Sequence, residues 1–135
     1  MLLTKESDYG IRIIRCLVDG GKRTVREICD VEHIPNQYAY KILKKLEHAG
    51  FVQSTRGRDG GYRLSKPLNS YSLYDVAAAV DGEFVVFECL RDVNHCEFKD
   101  EKHPCTVHSE FQRLQHILIT EMRKVSVDTL LKNKA

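Results

Sequence analysis

The chain has 135 residues and 15.6 kDa, with 42% apolar and 30% charged side chains, which suits one domain with a real core or a small domain plus an appendage. No apolar run approaches the length of a membrane span, and the charged start MLLTKESDYG lacks the apolar centre of a signal peptide, so a cytoplasmic protein is expected. The net charge of +2 conceals an asymmetry: residues 1–66 carry 13 basic and 8 acidic side chains, residues 67–135 carry 8 and 11. A basic first half points to nucleic acid, although a solvated helix face has the same composition.

Thr4 is placed to cap a first helix that runs roughly to Asp19 and stops at Gly20-Gly21. Ile11, Ile13, Ile14, Cys16, Leu17 and Val18 form its apolar stripe, so Cys16 reads as core. Thr24-Val25-Arg26-Glu27 is a capping box opening a short helix to about Val31, with Val25, Ile28 and Cys29 inward. Pro35 disfavours helix in the residue before it, and Asn36 is expected to cap the next helix, QYAYKILKKLEHA, closed by Gly50. Its inner stripe is Ala39, Ile42, Leu43, Leu46 and Ala49, which leaves Gln37, Tyr40, Lys41, Lys44 and Lys45 for the other face. Two short helices joined by a tight turn, the second basic outside, follow helix-turn-helix grammar.

FVQSTRGRDGGYRLS then alternates as a strand, turns on a Gly-rich, Arg-rich tip and alternates again. A thin hairpin with Arg56, Arg58 and Arg63 around its tip is the wing of a winged helix, able to enter a minor groove or grip phosphates. Pro67 marks a linker, and Ser72-Leu73-Tyr74-Asp75 opens a helix that ends at Asp81-Gly82. The apolar run Phe84 to Phe87 leads into ECLRDVNHCEFKDEKHPCTVH, where Cys89, Cys96 and Cys105 lie among charged residues with His95, His103 and His108. Five cysteines are an odd number for a disulfide framework, and in a reducing compartment such a cluster points to metal or redox chemistry. An iron–sulfur cluster that reports to a DNA-binding half is the leading expectation.

From about Thr106 a long helix reaches to roughly Val125, with Val107, Phe111, Leu114, Leu118, Met122 and Val125 at coiled-coil steps. Together with Ile117 and Ile119 this is more apolar surface than a small domain covers, so a homodimer held by this helix is expected. Ser126 caps a last turn through Leu130-Leu131, and LKNKA is a tail. The fold expected is mostly α with a small β-hairpin wing. Residues 1–66 form the winged helix-turn-helix domain, and residues 67–135 hold the cluster-binding loop and dimerisation helix.

The start LTKESDYGIR, the wing RGRDGGYRL, the motif YDVAAAVDG and three cysteines before a long helix resemble the Rrf-type (BadM/Rrf) winged-helix transcriptional regulators. Over nearly the whole chain the likeness is strongest to their iron–sulfur branch, which serves cluster biogenesis, nitric-oxide sensing and iron regulation. The resemblance implies a homodimer on a pseudo-palindromic double-stranded DNA operator, with a 2Fe–2S or 4Fe–4S cluster in each subunit near the dimer helix. It places Asn36, Gln37, Tyr40 and Lys41 at the major groove and Arg56 and Arg58 at the minor groove. Lys44 and Lys45 fall to phosphates.

The resemblance also gives the metal ligands Cys89, Cys96 and Cys105 two candidate partners. His108 stands in Cys105-x-x-His108, as in the cluster-biogenesis type. Asp8 stands in the TKESDYG start, as in the nitric-oxide type, where the ligand comes from the partner subunit. His33, His95 and His103 are the lesser choices. Gaps of six and eight residues between the cysteines depart from the family's shorter second gap. Three rivals keep the same residues in view: a Cys3His zinc site, a metal-free thiol switch, and a small thiol oxidoreductase. The last lacks a Cys-x-x-Cys pair, a nucleophile elbow and a phosphate loop, so no enzymatic activity is expected.

Overall fold

The structure is a computed structural model that describes residues 3–92, 96 and 104–132. His95, His103 and residues 133–135 lie outside the described residues, and the first two residues of the expected tail, Leu131 and Lys132, are helical. The first helix, α1 (Lys5–Cys16), starts as expected: the Thr4 hydroxyl accepts from the Glu6 and Ser7 amides at 3.1 and 3.3 Å. It ends three residues short of Asp19. Leu17 leaves helical geometry, its amide tightening the last turn onto Ile14, and the Asp19 carboxylate accepts from the Gly21 amide to turn the chain. Val18 is therefore exposed, while Ile13, Ile14, Cys16 and Leu17 are buried.

The Thr24–Glu27 capping box is present and opens α2 (Val25–Glu32). His33 closes it in left-handed geometry at φ 54°, before Pro35. In the third helix, α3 (Asn36–His48), the expected Asn36 cap is not formed. Pro35, extended at φ −61° and ψ 138°, takes the boundary position, and Asn36 becomes the first helical residue. Proline's locked φ and its effect on the preceding residue account for that one-position shift. The inner stripe is as read: Ala39, Ile42, Leu43 and Leu46 are buried and Ala49 is half-buried.

Strands β1 (Val52–Thr55) and β2 (Gly61–Leu64) pair antiparallel, with Val52 opposite Leu64 and Thr55 opposite Gly61. The tip turns through Gly57 at φ 104°, a conformation glycine enters without steric cost. A helix-turn-helix followed by a two-stranded antiparallel hairpin is a winged helix, and the molecule is mostly helical around it.

Helix α4 (Leu73–Asp81) opens with the Ser72–Asp75 capping box and stops at Gly82. It lies against α1 so closely that a Cβ on Gly10 would meet the Val80 Cγ2 at 2.9 Å. Ile13, Ile14, Ile28, Ile42, Leu43, Leu46, Val76 and Val80 join in one core, each aliphatic side chain contributing on the order of 2 kcal/mol by burial. The long helix α5 (Thr106–Lys124) buries no residue at all, and α6 (Val127–Lys132) returns to the core through Val127. The Val127 amide donates to the Tyr71 carbonyl at 2.9 Å, which ties this C-terminal turn to the start of α4. Among the described residues no helix is long and apolar enough to cross a membrane.

Tyr71 packs edge-on against Phe51 with ring centroids 4.6 Å apart, yet its buried hydroxyl has no hydrogen-bond partner among the described residues. Burial pushes this phenol from 10.0 up to about 12. The folded state thus favours the neutral form, and that stabilisation is complete below the unfolded value of 10.0 and disappears as the pH rises towards about 12. Tyr71→Phe keeps the ring and removes the orphan group, so denaturant melts should show a gain of about 1 kcal/mol at neutral pH. The variant should also lose less stability than the parent between about pH 10 and 12.

Candidate nucleic-acid interface and thiol centre

Helix α3 presents Asn36, Gln37, Tyr40, Lys41 and Lys44 on its exposed face, with the Tyr40 side chain projecting from the surface. The ring of Tyr38 leans on Tyr9 at 5.7 Å, so the first turn of α3 is braced against α1. Arg56 and Arg58 are exposed at the wing tip. The wing is anchored at its base: Arg23 and Tyr62 exchange backbone hydrogen bonds of 2.9 and 2.8 Å, and the Lys22 ammonium donates to the Asp59 carbonyl beside the tip. These tethers from the α1–α2 connection hold the hairpin in one place relative to α3. They link residues far apart in sequence and leave no local pattern.

Two of the basic residues on α3 are not free. Lys41 donates to one Glu6 carboxylate oxygen at 2.7 Å, and Lys45 donates to the other at 3.1 Å and to the Val80 carbonyl at 2.7 Å. Lys45 is accordingly half-buried rather than on the open face. Hydrogen bonds from Lys41, then Lys45, hold the Glu6 carboxyl below its ordinary value, and Lys41 is raised by the same contact. Glu6 was not singled out from the sequence. One signal was present, because like charges four apart on a helix repel unless a counter-charge meets them.

The thiol region lies at the foot of α5. Phe87 stacks on Phe111 at 4.6 Å and 12°, and the Val86 amide donates to the Gln115 Oε1 at 2.9 Å, which docks the run before Cys89 on the long helix. Cys89 sits in a single 3-10 turn, Glu88–Leu90. Cys105 is the residue before α5, and its Sγ accepts from the His108 amide at 3.4 Å, so a sulfur caps the helix. Cys96, Cys105 and His108 line one small cavity of about 70 Å³ with Pro104 and Ser109; Cys89 is not among its lining residues. All three loop cysteines are half-buried free thiols, whereas Cys16 and Cys29 are buried, as the sequence implied. Burial raises the thiol pKa of both core cysteines, which suits packing and not ligation.

Asp8 lies elsewhere. It pairs with Arg12 at 3.0 Å and lines a cavity between α1 and α4 with Leu3, Thr4, Ser7, Ile11, Leu73 and Ala77. Exposed His33 serves as the C-cap of α2. Among the described residues no three His, Cys, Asp or Glu side chains converge as a metal-holding group. The donor types nevertheless fit: three reduced sulfurs with an imidazole or carboxylate are what iron–sulfur clusters take, and three sulfurs with an imidazole also suit zinc.

A helix-turn-helix with an anchored wing defines the class: a winged-helix protein with a second, cysteine-bearing segment ahead of a long helix. The family model Rrf2, described as an iron-dependent transcriptional regulator, matches residues 3–133, and the chain belongs to this family of transcription regulators. It is 28% identical over 135 residues to protein aau3 of Rhizobium meliloti (strain 1021), a match covering 98% of this chain and 86% of that protein. Its fold is shared with the oxidized form of CymR from Staphylococcus aureus, at a TM-score of 0.76 and 19% identity, covering 100% of this chain and 99% of the other. It is shared equally with T. potens IscR, at a TM-score of 0.74 and 17% identity, covering 100% and 89%.

The wing supplies a test of its own geometry. A Cβ on Gly60 would lie 2.6 Å from the Thr55 carbonyl and 2.9 Å from that of Gly57, both backbone atoms that cannot step aside. Gly60→Ala should splay the tip that carries Arg56 and Arg58 and weaken binding of a duplex by about tenfold. The thermal midpoint of the helical core should stay within a few degrees of the parent. Titration of a labelled duplex beside a thermal melt measures both.

Proposed function

We propose that the chain is a homodimeric regulator whose operator binding is governed by an iron–sulfur cluster held by Cys89, Cys96 and Cys105. Residues 1–66 serve the operator and residues 67–135 serve the cluster and the dimer. Asn36, Gln37, Tyr40 and Lys41 read the major groove, Lys44 and Lys45 hold phosphates, and Arg56 and Arg58 reach the minor groove. Bound there, a cluster supplies a redox-active, ligand-exchangeable centre that answers iron status, nitric oxide or redox state. The observation that carries this reading is the position of Cys105, whose Sγ caps α5 while α5 itself buries nothing in its own chain. Any group that takes this sulfur acts on the end of the helix that a second subunit is expected to cover.

The exposed apolar side chains Val107, Leu114, Ile117 and Val125 support that second subunit. The fourth ligand is His108, which shares the small cavity with Cys96 and Cys105, or Asp8 supplied by the partner subunit. The Asp8 side chain is exposed and, among the described residues, pairs with Arg12 at its own helix surface, so it is available to another chain.

A second reading is a metal-free thiol switch. It is favoured by the likeness to CymR, a protein solved in an oxidized form, and by the three loop thiols being free and half-exposed. The two readings separate on protein purified without oxygen. A brown sample with sulfur-to-iron absorption, lost in Cys89→Ser, Cys96→Ser and Cys105→Ser but kept in Cys16→Ser and Cys29→Ser, is the expected result. A colourless protein with one zinc per chain overturns the cluster. Metal-free protein whose loop thiols titrate freely selects the switch.

A further inference from the structure

Glu6 occupies an unusual place for an acidic residue in a protein that meets DNA. Its carboxylate is 21% exposed and spans two lysines one turn apart on α3, while the Lys41 side chain it holds is 56% exposed. The carboxylate is not there by drift of a flexible chain. The first turn of α1 is latched to the end of α4: the Asp81 carboxylate accepts from the Thr4 amide at 3.4 Å, from the Thr4 hydroxyl at 2.6 Å, and from the Ser7 hydroxyl. Lys45 closes the same seam by donating to the Val80 carbonyl. Three helices thus converge to hold one negative charge over the basic face of the helix that enters the groove.

We infer that Glu6 is an internal competitor for DNA phosphate, occupying Lys41 and Lys45 so that the regulator's backbone affinity is kept low. This rests on the DNA-binding reading and adds a residue that sets affinity within it. A phosphate approaching α3 meets lysines already paired, and each contact it makes there must displace a carboxylate rather than water. Fewer net counterions are then released than the number of basic residues on α3 implies, since release scales with the phosphates neutralised. Non-specific binding, which is almost wholly electrostatic, is lowered most. Glu6 engages Lys41 but leaves the other residues assigned to the major groove, Asn36, Gln37 and Tyr40, untouched, so discrimination between sequences rises as background affinity falls.

The test uses the full-length protein and a fluorescein-labelled duplex of mixed sequence, followed by anisotropy at KCl concentrations from about 50 to 200 mM. Glu6→Gln should bind roughly tenfold tighter at the lowest salt, with a log–log salt slope steeper by about 0.9 to 1.8. Glu6→Ala should show the same steepening. In a Lys41→Gln/Lys45→Gln background the gain from Glu6→Gln should vanish, because its targets are gone. Unchanged or weaker binding with an unchanged slope overturns the inference, and so does an equal gain in the lysine-free background, which marks a general charge effect. Loss of helical circular dichroism in both Glu6 variants also overturns it, making the residue a structural staple. Failure of the parent protein to bind duplex even at the lowest salt instead sinks the DNA-binding reading itself.

Discussion

Everything in this molecule is arranged around α1 lying flush on α4. The absent side chain of Gly10 lets the two helices approach until Val80 fills the place a Cβ would take. That approach brings Ile13 and Ile14 into the same core as Ile42, Leu46 and Val76. It also puts Asp81 within reach of Thr4 and Ser7. Because α3 packs on both helices through Ile42, Leu43 and Leu46, the candidate recognition helix takes its position from the pair. Cores at native density do not deform smoothly, so a displacement of α1 is passed on to α3 instead of being absorbed.

The same helix carries much of the chemistry. Asp8, a candidate cluster ligand, is two residues from Glu6, which grips the lysines of α3. At the far end of α1, the connection to α2 anchors the wing through Arg23 and Lys22. The first helix and the connection after it therefore touch both α3 and the wing. The second half of the chain is built differently. Its long helix lacks an intrachain core, and its N-terminus is capped by a sulfur. The loop thiols and an exposed apolar stripe thus meet on an element that buries nothing in its own chain.

Much of this was legible in the residues because the signals are local. Capping boxes at Thr24 and Ser72 and the stripes of α1 and α3 depend on neighbours within four positions, and each was read to within a few residues. The same holds for the glycine-rich wing. Where a boundary slipped, the cause was also local but was won by another rule. Pro35 displaced the Asn36 cap, and a tightened turn at Leu17 ended α1 early.

What the sequence determined by itself is the order and type of the elements, the division of cysteines into two packed and three half-exposed, and the basic character of the first half. These follow from periodicity, side-chain polarity and charge, which act at short range. Tertiary structure alone decided which charges are spent. Lys45 stands in a row of lysines that looks solvent-facing, yet it is bound to a carboxylate 39 positions away and to a carbonyl 35 positions away. Asp81 receives hydroxyls 77 and 74 positions upstream. Pairings over such distances depend on how helices pack, and packing is set by the whole core at once. A polar residue therefore gives no sign in its own neighbourhood of which partner the fold will bring to it.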